Sequence, residues 1–142
     1  MVSPEASSKK LGEATKTVIT SNIERAWLSG LILGEGSITT HFDPSRNRTR
    51  ATIEIKMTEK AIMQKAASIL GVSVIGPFYD KRGAGYRPRY EVSVLGTRAV
   101  NVLQEIRPYL VGVRKERAEV ILRRFPRNGT LVGRITASEI FT

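Results

Sequence analysis

The sequence predicts an α+β fold, in which pairs of adjacent strands separated by helices form one antiparallel sheet. Three observations predict it. From Arg48 the chain alternates polar Arg48, Arg50, Thr52, Glu54 and Lys56 with apolar Ala51, Ile53, Ile55 and Met57. A second stretch alternates Arg87, Arg89, Glu91 and Ser93 with Tyr90, Val92 and Val94. A period of two gives each strand one buried and one wet face. Around these stretches, residues suited to capping open segments of helical spacing.

Taken in order, residues 1–20 are small and polar without periodicity and read as a flexible N-terminal arm; residues 21–142 read as a single domain. Ser21 and Glu24 have the spacing of a capping box, and Ile23, Trp27, Leu28 and Leu31 give the helix it opens an apolar stripe. Gly34-Glu35-Gly36 ends that helix. In the first strand, Ile38, Thr40 and Phe42 fall on one parity and Thr39, His41 and Asp43 on the other. Residues 43–47 read as a turn into the second strand. Thr58 is placed to cap a second helix ending at Gly71. Residues 74–79 read as a third strand, residues 81–85 as a basic turn, and the stretch from Arg87 as the fourth. Thr97 is placed to cap a third helix that Pro108 interrupts, a charged helix spans 112–125, and Gly129 and Gly133 suggest loop in the tail, 127–142. The order is α-β-β-α-β-β-α-α, with four strands whose concave face carries the polar side chains.

Composition narrows the function. A chain of 142 residues with 41% hydrophobic content supports one compact domain with a true core. Lys and Arg total 23 against 13 acids, a net charge of +10. That imbalance calls for a polyanionic partner. No apolar run is long enough to span a membrane, and the N-terminus has no signal-peptide core; an intracellular, non-membrane protein is expected, in an archaeal or bacterial cytoplasm or an organelle. Cysteine is absent and His41 is the single histidine, which excludes thiolate and multi-histidine metal sites within one chain. Any metal is left to oxygen ligands, favouring Mg²⁺ or another hard cation. Arg48, Arg50, Lys56, Arg87 and Arg89 share the wet face of the sheet, which suits the grooves and phosphates of nucleic acid. The aromatics are few and fall mostly on core parity, against a single-strand stacking platform.

Gly30 and Gly34 are four residues apart, hence on one helix face, where small residues let two helices approach closely. A helix stop explains Gly34 or Gly36 but not Gly30, since glycine within a helix costs about 0.5–1 kcal/mol relative to alanine. A two-fold axis there brings two helix ends together, each bearing Glu35. A carboxylate at a helix C-terminus meets the negative end of the dipole, and a divalent cation relieves that repulsion.

The run Trp27-Leu28-Ser29-Gly30-Leu31-Ile32-Leu33-Gly34-Glu35-Gly36-Ser37-Ile38 resembles the signature of the LAGLIDADG homing endonucleases, and the element order around it is similar to theirs from about Ile23 to Phe125. The signature occurs once, which in that family implies a homodimer, here through Trp27, Gly30, Leu31 and Gly34. The resemblance implies site-specific cleavage of double-stranded DNA (the intron or intein type) at a long near-palindromic site. It implies Glu35 and the Gly34 carbonyl as ligands of Mg²⁺, with Mn²⁺ or Ca²⁺ able to take the site. It places Glu59 where relatives order active-site water, and Arg114 with Lys115 where they place a basic residue near the scissile phosphate. Expected DNA contacts are Thr39, His41, Asp43, Arg48, Arg50, Thr52, Glu54, Lys56, Lys81, Arg82, Arg87, Arg89 and Glu91; Arg117 is expected at the surface. Leu33 departs from the signature, in which an acid is common at that position. An RNA-splicing maturase and a non-cleaving DNA-binding regulator use the same fold and stand as alternatives; a basic ribosome-associated protein leaves Gly30, Gly34 and Glu35 without a purpose.

Overall fold

The computed structural model describes residues 19–83 and 85–141. In chain order these form α1 (Asn22–Glu35), β1 (Gly36–Asp43), β2 (Arg48–Met57), α2 (Lys60–Leu70), β3 (Ile75–Phe78), β4 (Arg89–Leu95), α3 (Thr97–Ile106), a 3₁₀ turn (Arg107–Tyr109), α4 (Gly112–Arg124), β5 (Thr130–Val132) and α5 (Ala137–Phe141). The α+β class and the order of the first eight elements are as expected. All strand pairs are antiparallel. The expected arm lies outside the described residues except for Ile19 and Thr20, and Ile19 is buried in the core.

The sheet runs β1-β2-β4-β3, with β5 also on β2. It therefore has five strands, where four were expected. Residues 52–57 of β2 pair with β4 and residues 48–50 with β5. The junction is Ala51, whose N–H donates to the Gly129 carbonyl (2.8 Å) and whose carbonyl accepts from Gly96 N–H (2.9 Å). Gly129 has φ 65° and lies so close to the Gly96 carbonyl that any Cβ there would overlap it. Only glycine fits. A three-residue strand is too short to show alternation, and its partner lies about eighty residues back along the chain, so the tail reads as loop in the sequence.

The other boundaries shift for local reasons. Ser21 caps α1 by accepting from Glu24 N–H (3.1 Å), but Glu24 reaches past the capping-box position to Thr20, taking its N–H (2.8 Å) and hydroxyl (2.9 Å). Glu59, not Thr58, precedes α2, and it makes no cap bond. Gly96, with φ 63°, precedes α3, so Thr97 is the first helical residue rather than its cap. Arg87 precedes β4, which begins at Arg89 after Pro88.

The helices cover one face of the sheet. Ile38, Ala51, Ile53, Ile55, Val92 and Val94 meet Leu28, Ile32, Met63, Leu70, Leu103, Ile106 and Ile121 there, all at most 1% exposed. Each large apolar side chain so buried contributes roughly 1.5–3 kcal/mol. Ile140 of α5 is 1% exposed as well, so the tail closes the core. Among the described residues no helix is long and apolar enough to cross a membrane.

Candidate catalytic cleft and nucleic-acid interface

Helix α1 has two faces. Leu28, Ser29 and Ile32 are buried in the core. Ile23, Ala26, Gly30 and Gly34, spaced by three, four and four, form an exposed stripe. Ile23 is 82% exposed, so the structure moves it from the expected core stripe to this open edge. A Cβ at Gly30 or Gly34 would meet nothing within 4 Å among the described residues, so neither glycine is required by contacts among them. Trp27 and Leu31 are half-buried against the core, with Lys65 Nζ 4.5 Å from the Trp27 ring centroid. Arg25 fixes the helix to α3 through Glu105 (2.6 Å).

Glu35 is the last residue of α1 and is exposed. Its carboxylate has no hydrogen bond or ion pair among the described residues, and no basic residue occupies the last turn of the helix. The next residue, Gly36, is buried and starts β1 at the edge of the sheet. That edge is closed by two arginines one turn apart on α4: Arg114 Nε donates to the Gly36 carbonyl (3.0 Å) and Arg117 to the Ile38 carbonyl (3.0 Å). Arg117 also lies over the Phe141 ring at 4.4 Å, so it is a structural clamp rather than the surface residue expected. Arg114, expected near a scissile phosphate, has its Nε engaged on the backbone beside Glu35. Lys115 is half-buried and makes no bond among the described residues.

Glu35 opens into a cleft of about 590 Å³ whose lining includes Lys56, Thr58, Asp80, Arg82, Arg87 and Arg89. The structure thus gathers Glu35 with four expected cationic contacts from three segments. Asp80 and Arg82 form a rigid pair, with Arg82 Nε and Nη2 on the carboxylate at 3.0 and 2.8 Å and the Arg82 N–H on it at 2.8 Å. The Arg82 side chain holds the Asp80 carboxyl below its ordinary value, and Asp80 raises Arg82 in turn. Glu59 does not line the cleft; it accepts from Arg87 (3.1 Å), which does.

Of the remaining expected contacts, Lys81 is exposed in the turn between β3 and β4, and the sheet face opposite the helices carries the others in cross-strand rows. Reading across β1, β2 and β5 or β4, the rows are Asp43–Arg48–Val132, His41–Arg50–Thr130, Thr39–Thr52–Leu95 and Ser37–Glu54–Ser93. Beyond them come Lys56–Glu91–Ile75 and Arg89–Phe78. Ser45 hydroxyl and N–H donors hold the Asp43 carboxyl below its ordinary value, and Arg48 Nε stands 3.8 Å away. Glu91 accepts from Arg89 (3.0 Å) and faces Lys56. Glu54 faces Ser37 and Ser93, with no cation paired to it among the described residues. Arg48 Nε and Arg50 Nε are buried without a hydrogen-bond acceptor among the described residues. Thr52, expected as a contact, is 3% exposed: its neighbours wall it in, and its hydroxyl donates to the Arg50 carbonyl (3.2 Å).

Ser37 and Ser93 share this face but were not among the expected contacts. Ser93 was legible, having the parity of Arg89 and Glu91. The aromatics also depart from expectation: Phe78, Tyr79 and Tyr86 are 39%, 75% and 46% exposed. Arg82 lies 4.0 Å over Tyr86, and Arg89 lies 5.4 Å over Phe78. No group of three or more His, Asp or Glu residues that could hold a metal ion occurs among the described residues.

No protein-family profile and no curated protein matches the sequence. Solved structures do. The homing endonuclease I-CvuI, in complex with its target in the presence of Ca, superposes with a TM-score of 0.55 at 21% identity over 71% of this chain. The chain spans 64% of the length of I-CvuI. The LAGLIDADG homing endonuclease I-GzeII, in complex with a DNA target, gives 0.52 at 16% identity over 68% of this chain and 33% of that one. The group I intron-encoded homing endonuclease I-CeuI, complexed with DNA, gives 0.51 at 13% identity over 84% of this chain and 63% of that one.

Proposed function

From a chain that has the fold of the LAGLIDADG homing endonucleases, we propose that the protein is a site-specific DNA endonuclease acting as a homodimer, with two copies of α1 apposed and one Glu35 cleft per strand. The observation that carries the reading is Glu35: a free carboxylate at a helix C-terminus, opening into a cleft walled by Lys56, Arg82, Arg87 and Arg89. Lys56 lines the same cleft, and Arg82, Arg87 and Arg89 line it while paired with Asp80, Glu59 and Glu91, which leaves the Glu35 carboxylate open to a cation.

The stripe of Ile23, Ala26, Gly30 and Gly34 supports the dimer, because small exposed residues at helical spacing permit close backbone approach. Apposed helix ends bring two acids together, and a divalent cation offsets the repulsion. The donors present are hard oxygens, the Glu35 carboxylate and the Gly34 carbonyl at the helix end, which fits Mg²⁺ or Ca²⁺. One carboxylate does not complete a shell; the other oxygens would come from a second copy and from substrate phosphates. Bound there, the ion supplies Lewis-acid charge at the scissile phosphate.

The chain's own residues do the rest. Arg114 fixes the Gly36 carbonyl and with it the end of α1 that presents Glu35. The cleft cations attract and hold the phosphodiester. On the outer face, Arg48 Nε lies 3.8 Å from the Asp43 carboxylate, and Arg50 Nε has no hydrogen-bond partner among the described residues. Both residues stand in the outward rows of the sheet, and arginine pairs bidentately with guanine. Glu54, free of cations, is suited to accept from cytosine N4.

Selection from a randomised duplex library tests the reading. Cuts at one long, near-palindromic site in Mg²⁺, absent in EDTA and with Glu35→Gln while duplex binding persists, are expected. A folded protein that binds duplex without cutting in any divalent metal would leave a regulator in its place; preference for structured RNA would leave a maturase.

A further inference from the structure

Residues three apart in a regular strand face opposite sides of a sheet. In β3 they do not. Ile75 pairs with Glu91 and Phe78 with Arg89, and the register shifts between them. Glu91 and Arg89 are two apart in β4, so the irregularity turns Ile75 and Phe78 to the same outward face. It rests on Gly76, whose φ is +124° and whose hypothetical Cβ would stand 2.9 Å from the Arg89 carbonyl. Bulges of this kind re-aim side chains and recur beside functional sites.

What the bulge delivers is an apolar pair on a polar face. Ile75 is 50% exposed and Phe78 39%, beside Lys56, Arg89 and Glu91. Phe78 also lines the Glu35 cleft. Arg89 is held both over the Phe78 ring and on the Glu91 carboxylate, so cation and ring form one fixed surface. The surrounding charge is complementary to a polyanion. The apolar group that a DNA major groove presents to such a surface is the C5-methyl of thymine.

We propose that Ile75 and Phe78 are a thymine-reading pair that selects a 5-methylpyrimidine in each half-site, on the side nearest the Glu35 cleft. The proposal rests on the DNA-binding reading above and adds to it a base preference at one position. It assigns a specificity role to side chains that a sheet with unbroken register would divide between its two faces.

The experiment is a pair of binding selections from randomised duplex pools in Ca²⁺, one amplified with thymidine and the other with deoxyuridine, which lacks the methyl. The wild-type protein should enrich a thymine column in the first pool. That column should lose about fourfold of its preference in the deoxyuridine pool, the effect of one buried methyl-sized group. Phe78→Ser and, separately, Ile75→Ser should flatten the column in the thymidine pool while other columns persist; both side chains are exposed, and circular dichroism confirms the folded state of each variant. A selected site whose every thymine tolerates deoxyuridine overturns the proposal and leaves the DNA reading standing. So does Phe78→Ser sedimenting as a monomer where the wild type is a dimer, which would assign the patch to a second copy. No enrichment of any column in either pool overturns the DNA reading and this proposal together.

Discussion

Arg114 Nε donates to the carbonyl oxygen of Gly36 across 3.0 Å, joining the first turn of α4 to the residue that follows Glu35. The Gly36 carbonyl lies on the open edge of β1, where no strand can satisfy it. Arg114→Ala should therefore lower folding stability by about 1–2 kcal/mol through the unpaired carbonyl. It should lower cleavage by on the order of tenfold to a hundredfold through displacement of Glu35. Arg114→Lys restores a donor and should recover part of the stability. Urea unfolding and single-turnover cleavage at saturating protein separate the two effects; unchanged cleavage in a destabilised variant would show that the contact serves the fold alone.

A Cβ at Gly30 would meet nothing within 4 Å among the described residues, so no contact there calls for a glycine. Gly30→Leu should keep the folded spectrum and raise intrinsic helix stability by about 0.5–1 kcal/mol. The same change should prevent two α1 helices from approaching. Sedimentation should show a monomer for the variant against a dimer for the wild type. A Gly30→Leu dimer of unaltered affinity would move the interface elsewhere.

Gly129 packs against the Gly96 backbone with no room for a Cβ. Its positive φ and the overlap of any Cβ with the Gly96 carbonyl make Gly129→Ala costly by roughly 2–4 kcal/mol. Hydrogen exchange should show β5 and the end of β4 losing protection first. A stability loss below about 0.5 kcal/mol, within the range of ordinary surface changes, would contradict the tight Gly96–Gly129 junction.

Acid should weaken the fold in a defined window. Glu24, Asp43 and Asp80 have carboxyls held below their ordinary values of 4.5, 3.8 and 3.8, chiefly by the Thr20 N–H, the Ser45 hydroxyl and the Arg82 guanidinium respectively. A depressed folded-state value means that stability is fully present above the ordinary value and is lost as pH falls through the folded one. The melting temperature should hold steady through the ordinary values from neutral pH and decline beneath them. Asp43→Asn should make that decline shallower, and an unaltered slope would remove Asp43 from the account.

Arg50 lies in the row of His41 and Thr130, with its Nε unpaired. If its guanidinium meets a base, Arg50→Ala should relax preference at one position of the site, at a cost of about 1–3 kcal/mol there. If it meets a phosphate, the variant should bind all sequences more weakly and reduce the salt slope by about one. Titration at several salt concentrations with matched and mismatched duplexes distinguishes the two, and no change in either quantity would exclude Arg50 from the interface.

Much of this protein was legible in its sequence, because local rules decided it. The alternation of β2 and β4 reports which side chains are buried, since a strand has only two faces. Glycine at 30 and 34 and the acid at 35 share a helix whose cap and end are both local, so the candidate site could be named before its cleft was seen. The outward parity of Arg48, Arg50, Lys56 and Arg89 followed in the same way.

What only the tertiary structure decided depends on partners far along the chain. Ile23 belongs to the apolar stripe by its spacing, yet among the described residues it is exposed. Thr52 has outward parity but sinks beneath its cross-strand neighbours. Arg114 and Arg117 are charges on a helix until a sheet edge with unpaired carbonyls lies beside them. The fifth strand exists because Gly129 fits against Gly96, and Ile75 and Phe78 share a face because a glycine bulge breaks the period of two. Periodicity and capping are properties of neighbouring residues and can be read from them. Edges, overlaps and register shifts arise from close packing between distant segments, and they acquire meaning only when the chain has folded.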